Sequence, residues 1–362
     1  NRRCVIIEAL CVPVRVYRLK RPTRCGSMPP KPPKEIAGGR FEIQKALGAG
    51  CFGQVWRGID KECENETVAI KFEDNQAKGQ PNQLKTEYDL LRIVAAADPN
   101  VQGFSKAHMY GVEGRFSFLA MTMLGRSLED RMQQCGKKLS PQSVVLIADQ
   151  CLRRMEFLHS LGLIHRDIKP ENFMFGVGSR IHIVHVIDFG LGRRYWRDKQ
   201  HAPMRTLQTL TGTARYASIN AHKGMEQSRR DDLQAVAHML IYFLRGSLPW
   251  SGLEAKTQEE KYRKIREVKE KFPIDELCEG HPKEFAKFLK DARSLTYTGR
   301  PDYLGLRKMF ADLRAEIGPE SDSGFEFLKG RDTGELEPVQ VDDQIQQPDD
   351  KAGAQTGSAS SC

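Results

Sequence analysis

Residues 164–173 read IHRDIKPENF, a stretch dense in charged and amide side chains. It holds five polar residues at a fixed spacing: His165, Arg166, Asp167, Lys169 and Asn172. Sixteen residues after Asn172 the chain reads Asp-Phe-Gly, at residues 188–190. Two such patterns at this separation are typical of the loops that carry out phosphoryl transfer, and together they are too specific to be a chance match. This stretch therefore decides the fold that we predict.

The side chains of these two patterns suit separate tasks in moving a phosphoryl group. Asp167 can accept the hydrogen bond of an incoming hydroxyl group, and Lys169 can neutralise charge on the transferred phosphoryl group. Asn172 and Asp188 offer hard oxygen ligands to Mg²⁺. We expect His165 and Phe189 to be packed structural residues.

A glycine-rich stretch, LGAGCFGQV at residues 47–55, places Gly48, Gly50 and Gly53 between two strand patterns. Three glycines in a turn can simply permit positive φ. However, a strand follows this turn where a dinucleotide-binding fold needs a helix. The pattern therefore favours a hairpin whose backbone N–H groups hold the phosphates of a nucleotide.

The next strand pattern ends on VAIK, residues 68–71. Taken alone, Lys71 would be an ordinary charge at the edge of a sheet. Beside the glycine-rich turn it becomes a candidate for binding phosphates, provided that a carboxylate orients it. Glu87, on the following helix, is the candidate for that partner.

The order of secondary-structure patterns predicts an α+β protein of two lobes. Strand patterns occupy residues 41–48, 54–60, 66–73, 106–114 and 116–124, with one helical pattern at 82–97. Helical patterns follow at residues 140–162, at 231–246 and in several stretches up to 317. We predict a bilobal fold with a small β-rich N-lobe, residues 40–123, and a larger helical C-lobe, residues 124–317.

The two ends of the chain differ in charge from its centre. Residues 1–39 read as a disordered, basic and proline-rich leader; position 1 is Asn and the first methionine is Met28. One hypothesis is that residues 1–27 precede the true start, and its rival is an arginine-rich targeting segment. Residues 318–362 are acidic and read as a disordered tail. We expect this tail to fold back on a basic pocket and compete with substrate.

The composition is that of an ordinary globular protein, with 362 residues of which 40% are apolar. Residues 28–318 carry a formal charge of +10, which favours acidic or phosphorylated partners, although a solvated lysine-rich surface is the alternative reading. Charge alone does not indicate nucleic-acid binding, because no motif of interleaved basic and aromatic residues is present. We expect protein substrates and a monomer.

The nine cysteines lack a C-x-x-C pair, which favours a reducing compartment and gives no zinc-site pattern. No apolar run approaches the roughly 18 residues that a membrane span needs. We therefore expect a cytoplasmic location, with the nucleus as a second compartment.

Residues 40–317 resemble a eukaryotic protein kinase domain, and Lys169, two residues after Asp167, resembles the serine/threonine class. Five further motifs resemble the casein kinase 1 superfamily: LGRSLED (124–130), IADQ (147–150), GTARYASIN (212–220), SRRDDLQ (228–234) and GSLPWSGL (246–253). GCFGQV (50–55) and ASINAHKG (217–224) are similar to the tau-tubulin kinase branch, including its divergent members that are numerous in nematodes.

The resemblance implies a site for ATP with Mg²⁺. An adenine would lie between Leu47, Val55 and Ala69 on one side and Met174 and Ile187 on the other. Met121 would be the gatekeeper, Thr122 and Leu124 would offer backbone groups of the hinge, and Asp232 would anchor the catalytic loop from below. Gly48, Gly50, Gly53 and Lys71 would hold the phosphates.

Protein kinases usually close the segment after Asp-Phe-Gly with Ala-Pro-Glu, but this chain has Ser218, Ile219 and Asn220. The resembled family orders this segment without phosphorylating it, which would leave Arg166 able to hold an external anion.

In that family, the positions of Arg215, Gly252 and Lys261 form a pocket for an acidic or phosphorylated residue of the substrate. Gln208 stands where casein kinase 1 has a lysine, and Arg205 is the residue that could compensate for it.

These observations predict that the protein is an active serine/threonine kinase that uses ATP and Mg²⁺. The alternative is a pseudokinase scaffold, which the missing Ala-Pro-Glu suggests. Pseudokinases usually lack a catalytic residue, whereas the chain retains all five: Lys71, Glu87, Asp167, Asn172 and Asp188.

Overall fold

A computed structural model of the chain describes residues 30–50, 53–76, 83–206, 209–318, 324–330, 333–340 and 345–349. Its first part contains six strands and one helix: β1 Glu35–Ile36, β2 Phe41–Gly50, β3 Gly53–Asp60, β4 Glu66–Asp74, α1 Gln83–Ala97, β5 Ala107–Glu113 and β6 Phe116–Thr122. The strands form one antiparallel sheet in the order β1-β2-β3-β4-β6-β5. The predicted β-rich N-lobe with one helix is confirmed.

Alternation along β4 positions the lysine of the VAIK motif. Val68, Ile70 and Phe72 are buried in an apolar cluster with residues of β2 and β6. Successive side chains of a strand point to opposite faces of the sheet. Lys71 therefore faces away from this cluster, toward the helical part of the molecule.

The sheet begins earlier than the sequence pattern indicates. β1 pairs with β2, matching Ile36 with Phe41, and the Ile36 side chain is buried. The expectation of a disordered leader through residue 39 is therefore corrected for its last part. A strand of two residues is too short to produce a readable alternation, and its burial depends on a partner strand.

The second part is largely helical, as predicted. Its helices are α2 Leu128–Gln134, α3 Pro141–Ser160, α4 Ile219–His222, α5 Arg229–Arg245, α6 Gln258–Lys271, α7 Ile274–Leu277, α8 Lys283–Ser294 and α9 Tyr303–Ile317. Short strands accompany them: β7 Leu163–Ile164, β8 Phe173–Phe175, β9 Val184–Val186, β10 Arg193–Arg194, β11 Trp196–Arg197 and β12 Gln200–His201. They pair as β7 with β10, β8 with β9, and β11 with β12.

Helices α3 and α5 form the centre of this helical part. Ser140 caps α3 by accepting a hydrogen bond from the Ser143 amide at 3.2 Å, and Pro141 follows at the first helical position. Nearly all side chains of α5 are buried, as expected for a helix surrounded by others. None of the helices in the described ranges is long and apolar enough to cross a bilayer.

Part of the acidic tail is packed, which corrects the expectation of a wholly disordered tail. Phe325 and Phe327 are buried, and their ring centroids lie 5.3 and 5.0 Å from that of Phe175. The Arg131 guanidinium lies 4.8 Å from the centre of the Phe327 ring. The apolar group of residues 325–328 is too short to stand out from the acidic composition around it.

Two acidic groups of the described tail segments bind arginines on the C-lobe. Glu337 accepts a bond from Arg180 at 2.6 Å. Asp349 accepts two bonds from Arg229, at 3.0 and 2.8 Å, and the side chain of Arg229 is fully buried. These contacts do not involve Arg215, so they do not support the expected competition between the tail and a substrate.

We predict that Asp349→Asn lowers the free energy of unfolding by about 1–2 kcal/mol, because a buried guanidinium loses its charged partner. The hydrogen bond from Arg229 to the Thr298 carbonyl, at 3.0 Å, remains and limits the loss. Denaturant unfolding of the full chain measures the change. Glu335→Gln, at an exposed position of the same tail, is the control, and equal losses in both variants would contradict the prediction.

Candidate active site

Three separate elements meet at the ammonium group of Lys71. Its Nζ lies 2.7 Å from Glu87 Oε2 and 2.8 Å from Asp188 Oδ1. The second oxygen of Glu87 accepts a hydrogen bond from the Asp188 amide at 3.1 Å. Strand β4, helix α1 and the Asp-Phe-Gly loop are therefore joined by one cluster, and Glu87 is placed as the sequence predicts.

The charges in this cluster support one another. Burial by itself lowers the pKa of Lys71, but Glu87 and Asp188 outweigh burial and raise that pKa above its ordinary value. Burial raises the pKa of Glu87, whereas Lys71 overcomes the effect of burial and lowers the pKa of Asp188. Lys71 is therefore held as a cation, and Asp188 as an anion able to bind a metal ion.

The backbone of Asp188 is left-handed, with φ 66° and ψ 64°, which is rare for a residue other than glycine. Packing of its neighbour fixes this conformation. The Phe189 ring is buried between His165 and Phe104, with centroids 5.1 and 6.2 Å away. His165 and Phe189 thus have the structural role expected from the sequence.

The Asp167 carboxylate accepts hydrogen bonds from three side chains. Lys169 Nζ lies 2.6 Å from Oδ2, Asn172 Nδ2 lies 3.3 Å from the same oxygen, and Thr213 Oγ1 lies 2.7 Å from Oδ1. The carboxylate is thus oriented from both sides. Burial alone lowers the pKa of Lys169, but Asp167 raises it overall.

Asp232 holds the expected catalytic loop, residues 165–172, from below, as the resemblance to protein kinases implies. Its carboxylate accepts bonds from the amides of His165 and Arg166, at 2.7 and 2.9 Å, and from His159 at 3.1 Å. Arg166 has a left-handed backbone, with φ 68°, and donates from Nε to the Leu191 carbonyl at 2.7 Å. The loop geometry is therefore set by a buried acid of helix α5.

A cleft of about 800 Å³ opens between the two lobes, beside Lys71. Ten residues predicted for nucleotide binding line it: Leu47, Gly48, Val55, Ala69, Lys71, Met121, Thr122, Leu124, Met174 and Ile187. Its size and mainly apolar lining suit the base of a nucleotide. The sequence reading missed six further lining residues, since their positions depend on the start of α2: Met123, Gly125, Arg126, Asp130, Gln133 and Gln134.

The glycine-rich stretch forms a hairpin in which Gly50 pairs with Gly53. Gly53 has φ 138°, and a Cβ atom there would lie 2.0 Å from the Phe72 carbonyl oxygen. Only glycine allows this close approach of β3 to β4. Cys51 lies outside the described residues.

Asn172 and Asp188 suit a magnesium ion only together with other ligands. The Asn172 amide nitrogen donates to the Asp167 carbonyl at 2.9 Å, which leaves the side-chain oxygen as its metal-binding atom. Within the described ranges, no group of three or more His, Cys, Asp or Glu residues could hold a metal ion. The remaining ligands would be phosphate and water oxygens, as is usual for Mg²⁺.

The residues that replace Ala-Pro-Glu are tied to helix α5. Ser218 caps α4 and donates from Oγ to Asp231 at 2.5 Å, and the Ile219 amide donates to Gln234 Oε1 at 2.7 Å. At the other end of the segment, a Cβ atom on Gly212 would lie 2.2 Å from the Arg166 carbonyl oxygen. Glycine thus lets the segment lie directly against the catalytic loop.

The three residues of the expected anion pocket are exposed, and no hydrogen bond or ion pair joins them within the described structure. The Arg215 guanidinium instead lies over the rings of Tyr216 and Tyr242, at 5.8 and 5.6 Å. Gly252 lies between α5 and α6, and Lys261 lies in α6.

The other two residues discussed for anion binding lie apart from this group. Arg205 lines a separate basic depression of about 280 Å³ with Arg193, Arg194 and Arg197. Gln208 lies outside the described residues.

A family model of the protein kinase domain matches residues 41–306. The match covers well over half of the 362-residue chain. The chain therefore belongs to the protein kinase family, in agreement with the bilobal α+β architecture.

We predict that acid destabilises the protein partly through His185, which pairs with Met174 in the β8–β9 hairpin under the cleft. Burial lowers the pKa of His185 from 6.5 to about 4. Its contribution to stability is therefore full above pH 6.5 and is lost as the pH falls toward 4, because unfolding takes up a proton. His185→Gln should remove about 2–3 kcal/mol of this pH dependence in denaturant unfolding. If the free energy of unfolding falls equally in wild type and in His185→Gln between pH 7 and pH 4, the prediction is wrong.

Proposed function

We propose that this protein is an active serine/threonine kinase that uses ATP and Mg²⁺ and belongs to the casein kinase 1 superfamily, near the tau-tubulin kinase branch. The observation that carries the proposal is the cluster of Lys71, Glu87 and Asp188, which has the arrangement required for phosphoryl transfer. A pseudokinase would have no need to keep all of these groups in this arrangement.

In the proposed reaction, each side chain has one task. Asp167 accepts a hydrogen bond from the substrate hydroxyl group and orients it, while Thr213 and Lys169 hold the carboxylate. Lys71 binds phosphate oxygens, and Lys169 offsets negative charge on the group in transfer. Asn172 and Asp188 would hold Mg²⁺, which when bound neutralises charge on the phosphates.

Two features support the serine/threonine class and the proposed branch. Lys169 has the identity typical of serine/threonine kinases and contacts Asp167 directly. The distinctive Ser218-Ile219-Asn220 sequence of the resembled family is accommodated here by hydrogen bonds to α5.

We further propose that the substrates are acidic or already phosphorylated proteins. The central charge and the exposed guanidinium of Arg215 favour such partners, because arginine binds phosphate through two parallel charged hydrogen bonds. Gly252 and Lys261 would complete the anion pocket when substrate binds. We also propose a monomer that works in the cytoplasm, with the nucleus as a second compartment. The reducing compartment fits the free thiols of Cys63, Cys135, Cys151 and Cys278.

Lys71→Met and Asp167→Asn should each reduce phosphate transfer to casein by at least about 100-fold, because each removes a group that positions a reactant. Radiolabel transfer from ATP measures the rate. Lys85→Met is the matched control, since it removes an exposed lysine from helix α1 and should leave the rate unchanged.

If wild type transfers no more phosphate than Asp167→Asn, the proposed activity is wrong. Nucleotide binding without transfer would then favour the pseudokinase scaffold.

Arg215→Ala should raise the KM for a pre-phosphorylated peptide about 10-fold, because a hydrogen bond to a charged group contributes about 1.5–3 kcal/mol. The KM for a neutral peptide should change little. Arg263→Ala, at an exposed position of α6, is the control. An equal rise for phosphorylated and neutral peptides would exclude the proposed anion pocket.

A further inference from the structure

Four consecutive backbone carbonyl groups, those of residues 214–217, accept hydrogen bonds from buried side chains of other elements. Lys269 Nζ donates to the first and the last of them, at 2.9 and 2.6 Å. Trp250 Nε1 donates to the second at 2.7 Å, and His238 Nδ1 lies 2.8 Å from the third. We call these three side chains, Lys269, Trp250 and His238, the carbonyl clamp.

The members of the carbonyl clamp also contact one another. The Lys269 amine lies 5.2 Å from the centre of the Trp250 ring, and the His238 ring lies 5.2 Å from that ring in an edge-to-face arrangement. His222 Nε2 lies 3.3 Å from Lys269 Nζ and 3.0 Å from the Ala214 carbonyl oxygen. Two carbonyls and one ring nitrogen thus surround the amine. Burial lowers the pKa of Lys269 well below its ordinary value, and the amine can donate to both carbonyls in either protonation state.

The ring of His238 donates as a neutral imidazole. Burial lowers the pKa of His238 well below its ordinary value. A neutral ring carries one N–H group, and the carbonyl oxygen 2.8 Å from Nδ1 places the hydrogen there.

Under the proposed function, the clamped residues lie next to the place where a substrate hydroxyl group would reach Asp167. They follow Thr213, whose hydroxyl group binds Asp167, and they precede Ser218, which is fixed to α5. Lys269 is fully buried at the far side of this segment, so it cannot touch a substrate itself. Its effect on a substrate has to pass through the backbone that it holds.

We propose that Lys269 is a positioning residue for the protein substrate, acting with Trp250 and His238 to fix the backbone of residues 214–217 relative to Asp167. The glutamate that Ala-Pro-Glu would supply is replaced here by the uncharged Asn220, and the clamp supplies the order instead. This inference rests on the proposed kinase activity, because it assigns the clamp to the site where that activity receives its substrate.

Steady-state kinetics of casein phosphorylation tests the proposal. Lys269→Met should raise the KM for casein about 10-fold and leave the KM for ATP within about 2-fold. The reason is that the carbonyls of Ala214 and Ala217 lose their hydrogen-bond donor, whereas the nucleotide cleft is unchanged. Lys269→Arg keeps donor groups and should recover part of the loss. Lys271→Met, at an exposed position of the same helix, should behave as wild type. Equal changes in both KM values would overturn the proposal.

Trp250→Phe provides a milder variant that keeps an aromatic ring; it removes the bond to the Arg215 carbonyl together with part of the packing of the buried indole. It should raise the KM for casein about 5-fold, and it decides the question if Lys269→Met does not fold. An unchanged KM in this variant would count against the clamp.

Hydrogen–deuterium exchange tests the carbonyl clamp independently of the kinase activity. In Lys269→Met, or in Trp250→Phe if the former does not fold, amides of residues 211–218 should exchange faster, whereas those of β4 should keep their protection. If wild type transfers no phosphate, the proposed function fails, but this selective loss would still support the clamp. Unchanged exchange at residues 211–218 would overturn it.

Discussion

The ion pairs of Lys71 with Glu87 and Asp188 are the constraint on which the rest of the site depends. The three residues come from a strand, a helix and a loop that lie far apart in the sequence, and all three side chains are largely shielded from water. A buried charge without its partner costs several kcal/mol, so the three elements are held in one relative arrangement. The cleft between the lobes lies beside this cluster.

The loop that contains Asp167 and the segment of residues 214–217 are ordered mainly by hydrogen bonds to backbone groups. Asp232 accepts from two amides of the catalytic loop, and the carbonyl clamp donates to residues 214–217 of the following segment. Each of these side chains is buried in the helical lobe, where an unsatisfied polar group would be costly. The unusual Ser218-Ile219-Asn220 sequence is thus part of an ordered segment. Nothing about it indicates a damaged site.

The composition of the two ends of the chain predicted disorder throughout them, and this was wrong for a physical reason. Phe325 and Phe327 lie in an acidic segment that could not form a core of its own, yet both are buried against the helical lobe. Likewise, Ile36 lies in a proline- and lysine-rich leader but fills the edge of the N-lobe core. A few apolar residues suffice when a folded surface is already present to receive them.

The sequence by itself determined the fold class, the order of strands β2–β6 with helix α1, and Glu87 as the partner of Lys71. The spacing of charged residues and the period of apolar ones encode these features locally, and they need no knowledge of distant contacts. Only the tertiary structure decided that Thr213 binds Asp167, that α2 lines the cleft and that Lys269 holds two carbonyl groups. Lys269 stands in a strongly charged helix, and nothing in that pattern marks one lysine as buried. Burial is a property of what packs against a residue, and that is settled only when the whole chain has folded.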